Sequence, residues 1–173
     1  NCEKTAGKGL MCMFSGNHDV DRLARHLHGD ELKVAFAFIL SMPGAPFIYY
    51  GDEIGMRYVE GLKSVEGGYN RTGSRSPMQW DDSTNAGFSS APASDLYIAM
   101  DPDKDRPTAK KEMADPNSLY NEVKKLIRIR QSHKALQSRG KITFVYAEKD
   151  AYPLAYIREE GDEKILVIIN AAA

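Results

Sequence analysis

The first apolar run, GLMCMF at residues 9–14, has no polar alternation and is followed at once by SGNHD. A short continuous run of this kind predicts a strand buried on both faces. Next comes GDELKVAFAFILSMPG. It is apolar nearly all round, which predicts a helix buried on most sides, with Asp30 as N-cap and Pro43-Gly44 as the stop. A second apolar run, Pro46 to Tyr50, ends at Gly51 with Asp52 and Glu53 behind it. Strand, polar tip, helix, strand, polar tip predicts a parallel α/β unit.

From Asp52 to about Ala114 no long periodic segment appears, and Gly, Ser, Asn, Asp and Pro are frequent. Tyr58, Tyr69, Trp80, Phe88 and Tyr97 are too many aromatics for a disordered stretch, so an ordered, elaborate loop is expected. A helix is predicted in ADPNSLYNEVKKLIRIRQSHKAL, with Asp115 as cap and Pro116 at its first position. Leu119, Tyr120, Val123, Leu126, Ile127 and Arg130 form its stripe. After Gly140 the period changes to two. KITFVY alternates, and LAYIREEGDEKILVIIN reads as a hairpin turning at Gly161-Asp162.

The chain has 173 residues, enough for a real core, and its 23 basic and 24 acidic residues nearly cancel. No basic excess marks a nucleic-acid surface. The longest apolar run, Val34 to Met42, is too short to span a bilayer. The opening NCEKTAGKG has no apolar signal-peptide core. Cys2 and Cys12 form neither a zinc spacing nor a disulfide framework and read as free thiols.

In parallel α/β architectures ligands bind beyond the C-terminal ends of the strands, where both polar tips fall. Asp19 is therefore a candidate charged catalytic carboxylate and His18 a candidate donor to a substrate hydroxyl. The competing reading is that Asn17 or Asp19 caps the following turn. Asp52 and Glu53 either work at the tip or form a hydrogen-bonded pair holding the loop. Arg75, in SRSPMQW, is a substrate clamp or a surface residue. His18, His26 and His28 with Asp19 and Asp21 lack a metal-ligand spacing, so no metal site is expected. Phosphate-binding glycine loops and a Gly-x-Ser-x-Gly elbow are absent.

Taken together, FSGNHDVDR, GAPFIYYGDEIGM, SRSPMQWDDSTNAGFS and DPNSLYNEVKKLIRIRQSHKAL resemble, in order, segments of the α-amylase family of glycoside hydrolases. The third is similar to a loop of the α-glucosidase, oligo-1,6-glucosidase and trehalose synthase branch. The resemblance implies an α/β fold: the last two βα units of a TIM (β/α)8 barrel with a long active-site loop over residues 1–136. Residues 137–173 would begin an antiparallel C-terminal β-domain. By the same resemblance Asp19 is the carboxylate that stabilises an oxocarbenium-like transition state. His18 and Arg75 bind the sugar, and Arg22 is a substrate contact or a buried support. Asn17, Asp52, Glu53 and Trp80 shape or support the pocket. The family's nucleophile Asp and acid/base Glu belong to segments this sequence lacks.

The expectation is thus part of a retaining α-glycosidase or transglycosylase acting on α-glucoside oligosaccharides, with the isolated chain inactive. The alternative is a catalytically dead member serving as a carbohydrate-binding or partner module. No cofactor is expected from these residues, although calcium serves some relatives, and neither nucleic acid nor membrane is an expected partner. Two barrel strands leave apolar edges open, so self-association is expected. The run NHDVDR departs from the branch's frequent NHDQPR, and no PW follows NAGFS. Linkage specificity is left open by both departures.

Overall fold

The computed structural model describes residues 8–172, so Cys2 lies outside the described residues. The elements are β1 (Cys12–Phe14), α1 (Asp30–Ser41), β2 (Ala45–Phe47), α2 (Ala109–Ala114), α3 (Leu119–Ser132), β3 (Lys141–Tyr146), β4 (Leu154–Glu160) and β5 (Glu163–Ile169). They fall into two compact units. One holds the segment ending at Phe14, Lys33–Phe47 and everything from Val123 onward; the other holds Ser15–Leu32 and Ile48–Glu122. No helix among the described residues is long and apolar enough to cross a membrane.

In the first unit β1 and β2 pair in parallel, with Cys12 opposite Ala45 and Phe14 opposite Phe47. The strand–helix–strand pattern is therefore present, with shorter strands than the apolar runs. Burial differs from expectation: Cys12 and Phe14 are exposed and Met13 is half-buried. The reason is that β1 pairs with β2 alone in a two-stranded sheet. Helix α1 buries Phe36, Ile39 and Leu40. Asp30 is its first residue and not its cap. The carboxylate that turns back is that of Glu31, which accepts the His28 backbone N–H at 2.7 Å.

The C-terminal end of α1 is held by two buried arginines. Arg130 donates to the carbonyls of Leu40 (2.7 Å), Met42 (2.8 Å) and Gly44 (2.9 Å). Arg158 donates to the carbonyls of Ser41, Gln137 and Gly140. Cations suit carbonyls at a helix C-terminus, where the dipole is negative. Strands β3, β4 and β5 form an antiparallel sheet in that order, with an irregularity between Phe144 and Tyr146. Its β4–β5 hairpin turns at Gly161-Asp162, as the period-two pattern predicts. Gly161 has φ 58°, the left-handed value that a tight hairpin turn requires.

In the second unit a small core joins Ile54, Met56, Met78 and Ala109, with Tyr120 against it. The segment from Asp52 to Ala114 is ordered. It is built of short turns, among them the 3-10 turns Asp52–Ile54 and Thr72–Arg75 and a left-handed turn at Asn85-Ala86, before the short helix α2. The start of α3 also corrects the sequence. Its cap is Ser118, whose Oγ accepts the Asn121 N–H at 3.2 Å. Asp115 closes a local turn instead, accepting the Asn117 N–H at 2.9 Å. The two side chains serve successive N–H groups, Asp115 in the turn and Ser118 at the helix start, and Pro116 ends up outside the helix.

Candidate functional site

The polar tip after β1 begins with Ser15, and the second tip follows β2. Ser15 joins them. Its hydroxyl donates to Asp52 Oδ2 at 2.7 Å and accepts the Tyr49 N–H at 3.0 Å. Arg22 completes the junction: its Nη1 donates to Asp52 Oδ1 at 2.9 Å and to the Tyr50 carbonyl at 2.8 Å. The Arg22 guanidinium also lies 4.8 Å from the centroids of both the Tyr49 and the Tyr50 rings. Arg22 is 1 % exposed and Asp52 2 %. Their placement is that of a buried support. Burial pushes the Asp52 carboxyl above the ordinary carboxylate range, while the Ser15 hydroxyl and the Arg22 guanidinium hold it back. Glu53 is raised by burial as well. Its Oε2 has no hydrogen-bond partner among the described residues. The expected Asp52–Glu53 pair is therefore an Asp52–Ser15–Arg22 cluster, with Glu53 outside it.

The loop carrying SRSPMQW is strapped across the first tip. Ser74 Oγ donates to the Val20 carbonyl at 2.6 Å, and Tyr50 Oη donates to the Ser76 carbonyl at 2.8 Å. Arg75 donates through Nε to the His18 carbonyl at 2.8 Å and through Nη2 to Asp19 Oδ1 at 2.9 Å. Gly73 lies close against another stretch: a Cβ there would fall on the Val59 carbonyl oxygen and on the Tyr58 ring.

Asp19 is thus the meeting point of the loop and the tip. Besides Arg75, it is paired with Arg71 Nη1 at 3.0 Å, again through Oδ1. His18 Nε2 lies 3.3 Å from Asp19 Oδ2. Asn17 sets the local backbone, its Oδ1 accepting the Asp19 N–H at 2.7 Å. Asn17 thus closes a local turn at the tip, while the 3-10 turn Leu23–Arg25 that follows has no side-chain cap. A cleft of about 570 Å³ opens here, lined by Asp19, Asp21, Gly68, Tyr69, Asn70 and Arg71. Asp21 is engaged by Arg25 Nη1 at 2.8 Å and by His26 Nε2 at 3.1 Å. The hydrogen bond with His26, followed by Arg25, holds its carboxyl below the usual range.

Of the residues expected from sequence, Asn17, His18, Asp19 and Arg75 come together, and Arg22 and Asp52 lie buried under the tips. Trp80 is 52 % exposed and does not line the cleft. Ser15, Tyr49, Tyr50 and Arg71 were not singled out by sequence. Arg71 carries one signal that could have found it, its place four residues before Arg75. Among the described residues no group of three His, Cys, Asp or Glu side chains could hold a metal ion. Chemically, the cleft presents a carboxylate braced by two guanidinium groups, with a polar wall suited to hydroxyl groups.

The profile of the alpha-amylase catalytic domain matches residues 2–139. This chain belongs to the alpha-amylase family. It is 31 % identical to an oligo-1,6-glucosidase of Parageobacillus thermoglucosidasius over 95 % of this chain and 34 % of that protein. It is also 31 % identical to an amino acid transporter heavy chain of Homo sapiens, over 89 % of this chain and 22 % of that one. Among solved structures, a variant of MutB, a trehalulose synthase, in complex with the substrate sucrose matches with a TM-score of 0.80 at 28 % identity. That match covers 96 % of this chain and 35 % of MutB. The chain spans about a third of the length of the oligo-1,6-glucosidase and of MutB.

Proposed function

We propose that this alpha-amylase family chain is part of a retaining α-glycosidase or transglycosylase acting on α-glucosidic bonds of oligosaccharides. The observation that carries the reading is the convergence of Arg71 and Arg75 on Asp19 Oδ1 at the edge of an open cleft. A carboxylate held in this way is preorganised to face positive charge developing on a sugar ring. Arg75 and His18 supply donors for hydroxyl groups. The Asp52–Arg22–Ser15 cluster, with Asn17, fixes the tips. Residues 1–136 are assigned to the last two βα units of the catalytic barrel and residues 137–173 to the start of a C-terminal β-domain.

Retaining hydrolysis needs two carboxyl groups roughly 5 Å apart, and Asp19 belongs to neither role. The isolated chain is therefore expected to be inactive, and the reaction as proposed needs no cofactor. The test is glucose release from maltose and isomaltose by the full-length protein carrying this chain, wild type against Asp19→Asn. A fall of about 10²–10³-fold with an unchanged circular dichroism spectrum is expected.

A second reading has one observation in its favour, the likeness to an amino acid transporter heavy chain. On that reading the full-length protein is a catalytically dead partner or carbohydrate-binding module. It would be favoured if the folded wild type released no glucose from either disaccharide.

A further inference from the structure

We infer that Arg25, which does not itself line the cleft, is a positioning residue that clasps the two cleft walls together and so sets where Asn70 and Arg71 stand relative to Asp19. For its effect on sugars this rests on the glycoside reading above. One guanidinium is used here in three directions. Its Nη1 donates to Asp21 Oδ1 at 2.8 Å and its Nη2 to Glu60 Oε1 at 2.7 Å. Its Cζ lies over the Tyr58 ring, 4.0 Å from the centroid. Asp21 lines the cleft beside Asp19, and its second oxygen is met by His26 Nε2. Glu60 and Tyr58 come from the distant stretch that follows the second tip. Arg25 therefore joins two segments that the chain itself does not hold together.

The clasp reaches the opposite wall through Tyr58 and its neighbour. Tyr58 Oη donates to the Asn70 carbonyl, and the Val59 N–H donates to the Gly73 carbonyl at 3.1 Å. Gly73 lies too close to this stretch to leave room for a Cβ. Residues 70–73 therefore stand where residues 58–60 put them. Asn70 and Arg71 line the cleft, whereas Tyr58 and Glu60 do not. Arg25 is 34 % exposed and Glu60 72 %, so their ion pair adds little to global stability. Its weight falls on placement instead. A shift of about 1 Å in the groups around a reacting centre is enough to slow a reaction by about 10²-fold. Asp21 also sits where NHDVDR departs from NHDQPR, and a proline there would offer Arg25 no acceptor.

The test uses the full-length protein carrying this chain, as wild type, Arg25→Ala, Arg25→Lys and Tyr58→Phe. Amide hydrogen exchange reads the wall directly. The Tyr69 N–H donates to Thr72 Oγ1 and the Thr72 N–H to the Tyr69 carbonyl, so both amides report on it. Arg25→Ala is expected to speed their exchange by about ten-fold, with the α3 amides unchanged. On maltose and isomaltose kcat/KM should fall by about ten-fold at an unchanged thermal unfolding midpoint. Arg25→Lys should recover only part of this, because an ammonium neither forks nor stacks. Tyr58→Phe keeps the ring under Arg25 and loses the hydroxyl on Asn70. Combined with Arg25→Ala it should cost less than the product of the two single losses, since both act on one wall. Unchanged exchange at Tyr69 and Thr72 would overturn the inference. So would an equal rise in α3, losses that simply multiply, or full recovery by lysine. A wild type and an Arg25→Ala variant equally active on both sugars would also overturn it, and would leave the glycoside reading standing. A folded wild type that releases no glucose removes the glycoside reading, and the exchange comparison still decides the clasp.

Discussion

Arg22 and Asp52 are both buried, and each needs the other. A buried ion pair is costly to form and costlier to break, because removing one partner leaves an uncompensated charge. Arg22→Met is therefore expected to destabilise the protein by about 3–5 kcal/mol, read from the urea midpoint. The double variant Arg22→Met/Asp52→Leu should recover most of that loss, since it leaves no charge unpaired. The sign of the pH dependence follows from burial, which raises Asp52. The folded state then keeps the proton to a higher pH than the unfolded chain. Its contribution is greatest in acid and declines as pH rises through the folded-state value. The residue signal in the sequence was incomplete here. Asp52 was visible as a carboxylate at a strand end, but Ser15 and Arg22 become its partners only because two distant tips meet.

At the scale of elements, the ends carry the predictions. Helix α1 ends on carbonyls that Arg130 satisfies three at a time. Arg130→Met should cost about 3 kcal/mol or more, and Arg130→Lys should not restore it, because an ammonium lacks the planar fork. The start of α3 separates two candidate caps. Ser118→Ala should cost about 1 kcal/mol, and Asp115→Ala distinctly less, in the same denaturation assay. Glu163, at the start of β5, accepts the Ala135 N–H at 2.8 Å and meets His133 Nδ1 at 2.7 Å. The Ala135 N–H and then His133 hold its carboxyl low. Stability from this contact is present above the unfolded carboxylate range and is lost as pH falls through the folded-state value. Glu163→Gln should therefore flatten the acid side of a thermal-midpoint profile below about pH 4.

On the scale of the whole molecule, the first unit has an open two-stranded sheet. Leu10, Phe14 and Phe47 are 45 %, 48 % and 59 % exposed. An unpaired apolar edge is a template for another chain. The isolated chain is expected to self-associate, with a light-scattering mass that rises with concentration. Phe47→Lys should return it towards the monomer mass, because a charge on the edge opposes pairing.

The sequence by itself determined the order and type of the main elements. Continuous apolar runs marked β1, α1 and β2, the 3.6 period marked α3, and the period of two with Gly161-Asp162 marked the hairpin. It also placed Asn17, His18, Asp19 and Arg75 within two short motifs. These signals are local, arising from side-chain periodicity and turn chemistry. Caps shifted by a residue or several because neighbouring oxygens reach different N–H groups, Asp115 that of Asn117 and Ser118 that of Asn121. Burial of β1 was misjudged because it depends on which strands lie alongside. Only the tertiary structure decided that Arg71 and Arg75 share one oxygen of Asp19 and that Ser15 bridges to Asp52. Those contacts join residues far apart in the chain, where no periodicity reaches, and their geometry is set by the strapped loop.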